Sequence, residues 1–137
     1  MTHKIELKTG TQYIDEDGIL QIRFRMAPGI KEIQEEHIKD HIDAIVELCQ
    51  GIPRPFYIDG MNSYLSMAPG ACKLLAQCEV LNELRLAEAY VTDVLAIRLL
   101  FHYHLRLRDT RQGTRIFSDP KIAKHWLGLV TKENRSH

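Results

Sequence analysis

His37 and His41 stand one helical turn apart, the spacing at which two imidazoles can share a metal ion, with Glu36 and Asp40 alongside. No third ligand follows at a metal-binding spacing. His41 also flanks an apolar stripe, so the competing reading is a half-buried helix histidine held by hydrogen bonds. His102 and His104 are two residues apart and point to different sides of a helix, which excludes them as a simple ligand pair. Arg98, His102 and Arg106 recur every four residues. Such a stripe can take a carboxylate or phosphate, because Arg offers bidentate donors, or it can be a solvated helix face. Asp59 ends the apolar run Pro55-Phe56-Tyr57-Ile58. The C-terminal end of a strand is where α/β folds place ligands, and local hydrogen bonds that close the loop are the alternative role. The sequence contains no G-x-G-x-x-G, P-loop, G-x-S-x-G or H-E-x-x-H, and no Cys stands in an evident Cys-His arrangement. The expectation is a protein that is not an enzyme and has no metal or cofactor.

The elements that must position these residues follow from periodicity and punctuation. Ile5, Leu7, Tyr13 and Ile14 give an interrupted extended start, and Asp17-Gly18 turns into Ile19 to Phe24, where Leu20, Ile22 and Phe24 alternate with Gln21 and Arg23. An opening hairpin is expected. After Pro28-Gly29 the period becomes helical from Ile30 to Cys49, and Gly51 and Pro53 stop the helix. Phe56 to Ile58 reads as a buried central strand. Met61 to Pro69 is a loop, and a second helix runs from Gly70 to Gln77 with Pro69 at its start. Leu84 to Val91 is a strand, and Thr92-Asp93 leads into a helix from Val94 to Arg108 that is apolar on nearly every side and therefore expected to be largely covered. Thr114 to Phe117 is a short strand, and Ser118-Asp119-Pro120 opens a last helix with Trp126 on its core face. The order is β-β-α-β-α-β-α-β-α: one α/β domain over residues 1–137, with about five strands in a mostly parallel mixed sheet and about four helices. An α+β ferredoxin-like arrangement is the alternative.

Composition bounds the function. The 137 residues suffice for one core that needs no disulfide or structural metal. Eighteen basic residues balance eighteen acidic ones, which leaves no overall field to attract nucleic acid or anionic membranes. No apolar run approaches the roughly 20 residues of a bilayer span. Three cysteines, an odd number without C-x-x-C spacing, and no charged-plus-apolar leader at the start suit a reducing cytoplasm.

Ala89-Tyr90-Val91-Thr92-Asp93, Ala96-Ile97-Arg98-Leu99-Leu100, Thr114-Arg115-Ile116-Phe117-Ser118-Asp119, Ala123 and Trp126-Leu127, taken with the element order, resemble the STAS-like, anti-sigma-factor-antagonist-like bacterial domains, from about Tyr13 to Leu129. The resemblance implies a small sheet packed on helices. In the antagonists it also implies a phosphorylatable switch that docks on a kinase, running from an aspartate at a strand end to a Ser or Thr at the next helix start, followed by Gly. Asp59 and Gly70 match that pattern, but Pro69 occupies the phosphoacceptor place and has no hydroxyl. Ser63 and Ser66 remain nearby, and a phosphate on Ser66 would meet the positive end of the next helix, whereas Ser66 could instead cap that helix. The function expected is a non-catalytic interaction module that presents Asp59, Ser63, Tyr64, Ser66, Met67 and Gly70 to a protein partner, with a homodimer through helix 94–107. A carrier or sensor with an apolar pocket between sheet and helices is the alternative.

Overall fold

The computed structural model describes residues 3–108 and 113–135. Six strands and five helices alternate as β1 (Lys4–Leu7), β2 (Gly10–Ile14), β3 (Leu20–Phe24), α1 (Glu35–Cys49), β4 (Arg54–Asp59), α2 (Pro69–Ala76), α3 (Glu79–Leu84), β5 (Arg85–Val91), α4 (Leu95–Arg106), β6 (Thr114–Phe117) and α5 (Pro120–Arg135). The strands form one sheet in chain order. β1, β2 and β3 pair antiparallel, and β3 to β6 pair parallel, so the sheet is mixed. The parallel half needs crossovers, which the helices between its strands supply.

The α/β class stands, but the expected count and order are corrected to β-β-β-α-β-α-α-β-α-β-α. The opening is three strands, because β1 is only four residues and its hairpin closes at Lys8-Thr9 without a Gly-containing turn signature. A helix too short to display a full period, α3, sits between α2 and β5, and its Leu81 and Leu84 are buried. The first helix begins at Glu35 rather than Ile30. Ile33 cannot be helical, since its N–H donates to the Ser66 carbonyl at 2.8 Å and its own carbonyl accepts from Ala68 N–H at 2.9 Å, a one-residue bridge to Met67.

Strand alternation divides the core. Leu20, Ile22, Phe24, Phe56, Ile58 and Tyr90 face α1 to α4, which contribute Ile38, Ile45, Ala71, Leu81, Ile97 and Phe101. Tyr57, Ala87, Ala89, Val91 and Phe117 face the opposite way and meet Ala123 and Leu127 of α5. The alanines of β5 let the α5 backbone lie close to the sheet. Trp126 packs at the edge of this second cluster, 5.4 Å from the Phe117 ring. The expectation that α4 is largely covered is corrected: Ile97, Phe101, His104 and Leu105 are buried, whereas Leu95, Leu99 and Tyr103 are exposed on its far side. No helix among the described residues is long and apolar enough to cross a membrane.

Candidate functional site

The C-terminal ends of β3, β4 and β5 lie side by side, and the loop after β4 is built on them. Arg23 Nη1 meets Asp59 Oδ2 at 2.8 Å, and Arg23 Nη2 donates to the Met61 carbonyl at 3.0 Å. Met61 N–H donates to Asp59 Oδ1 at 2.9 Å. Asp59 therefore closes the loop, the alternative role open to it, with Arg23 as a partner that sequence spacing gave no reason to pair with it. Gly60 N–H donates to the Val91 carbonyl at 2.7 Å, and Thr92 Oγ1 donates to the Gly60 carbonyl at 2.8 Å. A Cβ on Gly60 would stand 2.8 Å from Phe101 Cζ, so only glycine lets α4 pass this closely. Asn62, at φ 52°, directs its N–H to Asp93 Oδ1 at 3.1 Å. The loop is thus tied at its base to three strands and to the chain entering α4.

The rest of the loop is anchored as well. Met61 packs on the α5 side, Leu65 and Met67 pack on the opposite core, and Met67 sits in the bridge to Ile33. Ser63 Oγ donates to the Met61 carbonyl at 3.2 Å. Ser66 does not cap α2, whose N-cap position is Ala68 with no side-chain bond. Gly70 is exposed in the first turn of α2, and Glu35 Oε1 lies 3.1 Å from where a Cβ on it would sit. A carboxylate already stands at this helix start, which opposes a phosphate there. Of the apolar loop residues only Tyr64 projects into solvent, 79% exposed.

The structure separates the other sequence-based candidates. His41 is fully buried between sheet and α1: Gln12 Nε2 donates to its Nδ1 at 3.0 Å, which leaves Nε2–H to donate to Thr9 Oγ1 at 3.0 Å. Burial holds its pKa down at about 4. His37 Nδ1 accepts the Gln34 N–H at 2.9 Å at the start of α1, so both histidines have structural partners of their own. Among the described residues no group of three or more metal-ligating side chains converges. Arg98 is half-buried, His102 and Arg106 are exposed, and none of the three has a partner among the described residues. The thiols of Cys49 and Cys72 are raised in pKa by burial, which makes them poor nucleophiles.

Sequence reasoning missed one cluster, beneath α2 and α4. Glu88 on β5 is buried with Arg85, whose Nε lies 3.1 Å from Glu88 Oε2, and with Arg108, which bonds to Glu88 Oε1. Burial alone would raise the Glu88 pKa, but the two guanidiniums outweigh it and hold the carboxyl ionised below its usual range. Tyr90 is pushed far up by burial and by the Glu88 charge. His104, also buried, has its pKa lowered to about 4 by burial, and its Nδ1 has no partner. The legible signal was a Glu in the middle of an apolar strand, a position that demands a buried cation. Two voids adjoin the cluster, each of about 20 Å³ and both touching Phe24, Ile58, Leu75, Tyr90 and His104. Each has room for a water, far below the roughly 300 Å³ of a small-molecule site. Compared with protein-family models, with curated proteins and with solved structures, the chain has no match.

Proposed function

We propose that the protein is a non-catalytic interaction module of the STAS-like kind, which presents the Asp59 to Gly70 loop to a protein partner without using the phosphoacceptor position that Pro69 fills. One observation carries the reading: Tyr64 is 79% exposed on a loop whose neighbouring apolar residues are all anchored. An exposed aromatic on a fixed backbone loses little conformational entropy on binding, which is what makes such residues binding anchors. Asp59, Ser63 and Ser66 shape the loop, Met67 pins it, and Gly70 starts the helix behind it. Self-association through α4 is part of the same reading, as is a cytoplasmic setting for three cysteines that are all unpaired.

Affinity capture on immobilised wild type and on Tyr64→Ala tests it. Because Tyr64 makes no core contact, the variant keeps the wild-type circular dichroism and melting point. The expected result is a protein retained by wild type and lost from Tyr64→Ala. The same retained proteins on both columns would remove the loop from consideration.

A further inference from the structure

The exposed side of α4 has an arrangement that suits a second copy of itself. Leu95, Leu99 and Tyr103, at 71%, 60% and 43% exposure, follow one another at four-residue spacing, and Arg106 lies within about 20° of Leu99 around the axis at 100° per residue. The stripe therefore reads apolar from Leu95 to Tyr103 and ends in a cation. Just ahead of its other end, before the N-cap Val94, Asp93 is exposed, with Oδ1 accepting the Asn62 N–H. The helix itself, Leu95–Arg106, contains no acidic residue. A parallel pairing would set Arg106 against Arg106 and Asp93 against Asp93. An antiparallel pairing about a two-fold axis at Leu99 does the reverse.

We infer that the protein forms a symmetric dimer in which α4 packs antiparallel on α4 of a second copy, Leu99 against Leu99, Leu95 against Tyr103, and Asp93 against Arg106 at both ends. This rests on the self-association part of the proposed function and adds the register. Three observations support it together. Three large apolar side chains in a row, 71%, 60% and 43% exposed and rimmed by charged residues, form on each copy a contiguous apolar strip of the kind that marks an interaction surface, and a two-fold axis doubles the area it buries. Opposite charges stand at opposite ends, which is what a two-fold axis needs to pair them twice. The remaining cation, Arg98, is about 100° around from Leu99 and so lies beside the seam, where two copies do not force it into apolar contact. His102 falls next to Tyr103 and opposite Ala96 of the second copy.

Sedimentation and disulfide trapping test the inference in a Cys78→Ser background, which removes the one partly exposed thiol. Leu99→Cys should oxidise to a covalent dimer far faster than an Ile122→Cys control on exposed α5. Leu95→Cys alone should not, since its two copies would stand about 12 Å apart along the seam, beyond disulfide reach, but Leu95→Cys mixed with Tyr103→Cys should cross-link. Arg106→Asp should weaken the dimer about tenfold or more, and mixing it with Asp93→Arg should recover much of the loss. A single 15.8 kDa species up to 100-fold above micromolar concentration would overturn both the self-association reading and the register. A dimer that traps no faster at Leu99 than at the control would overturn the register alone, leaving self-association through another surface.

Discussion

His41 and His104 are each enclosed with too little solvent to carry a proton, and that sets how the fold responds to acid. For each the folded pKa is about 4 against an ordinary 6.5, with burial the largest cause. A base whose folded pKa is depressed is bound by fewer protons folded than unfolded between those two values, so stability rises with pH across that window and is fully present above 6.5. On acidification the loss begins near pH 6.5 and continues to about pH 4, on the order of 3 kcal/mol for each histidine. Glu88 adds to the loss below the ordinary glutamate range, where the unfolded chain takes up a proton that the folded carboxylate, held ionised by Arg85 and Arg108, does not. Melting curves taken from pH 7 to 4 should therefore show the melting temperature falling steadily, starting above the range of ordinary carboxylates. A flat profile between pH 6.5 and 5 would show that neither imidazole is enclosed as described. Arg23 and Asp59 illustrate the opposite case: both are partly exposed, so their ion pair matters for where it holds the Met61 carbonyl more than for its own energy.

The element on which most of the geometry converges is α4. Its inner face, Ile97 and Phe101, lies directly on Gly60, while its start is fixed by Thr92 and by the Asn62 to Asp93 bond, so helix and loop share one position. Gly60→Ala puts a methyl group 2.8 Å from Phe101 Cζ and 3.0 Å from Ile97 Cγ2. Overpacking of this kind costs typically about 1 to 3 kcal/mol, and here it should act by pushing α4 outward. The expected signature is a lowered melting temperature with increased amide exchange concentrated in α4 and in the Asn62 to Tyr64 turn. Exchange raised evenly over the whole sheet instead would mean that helix and loop are not coupled through this contact. The loop is held from the other side by the Ile33 bridge, which is why α1 starts late: the residues that could have extended it are paired with the loop instead.

At the scale of the molecule, one sheet carries two cores, and the two are unequal. Four helices cover one face, whereas α5 covers β4, β5 and β6 on the other with Ala123 and Leu127 fully buried against small strand residues. The two clusters share β4 and β5, so neither can open without disturbing the backbone of the other. Leu127→Ala should cost about 2 to 5 kcal/mol, in the range for emptying a buried leucine site. The loss should show at the same midpoint by Trp126 fluorescence, which reports on α5, and by far-ultraviolet circular dichroism, which reports on every helix. Two separated transitions, with Trp126 changing first, would show that α5 and its face unfold as a unit of their own.

The local signals in the sequence determined the parts that local physics governs. The alternation of Leu20, Ile22 and Phe24, the apolar run to Ile58, the helical periods ending at Cys49 and in α4, and the start of α5 at Pro120 are visible because each is repeated over enough residues to display a period. α3, too short to show a helical period, was not legible, and β1 was read only as part of one interrupted extended start with β2; the start of α1 was not legible either, since that depends on Ile33 finding a partner more than 30 residues away. The loop after β4 was legible as a loop, with Asp59 at a strand end. Which of its side chains face solvent was decided only by tertiary packing, because Met61, Tyr64, Leu65 and Met67 are equally apolar in the sequence and three of them find cores on different sides. The same holds for Arg23 on Asp59, for Thr9 and Gln12 on His41, and for Arg108 on Glu88. Each pairs residues from different elements, and their approach is fixed by strand order and register, which no local pattern encodes.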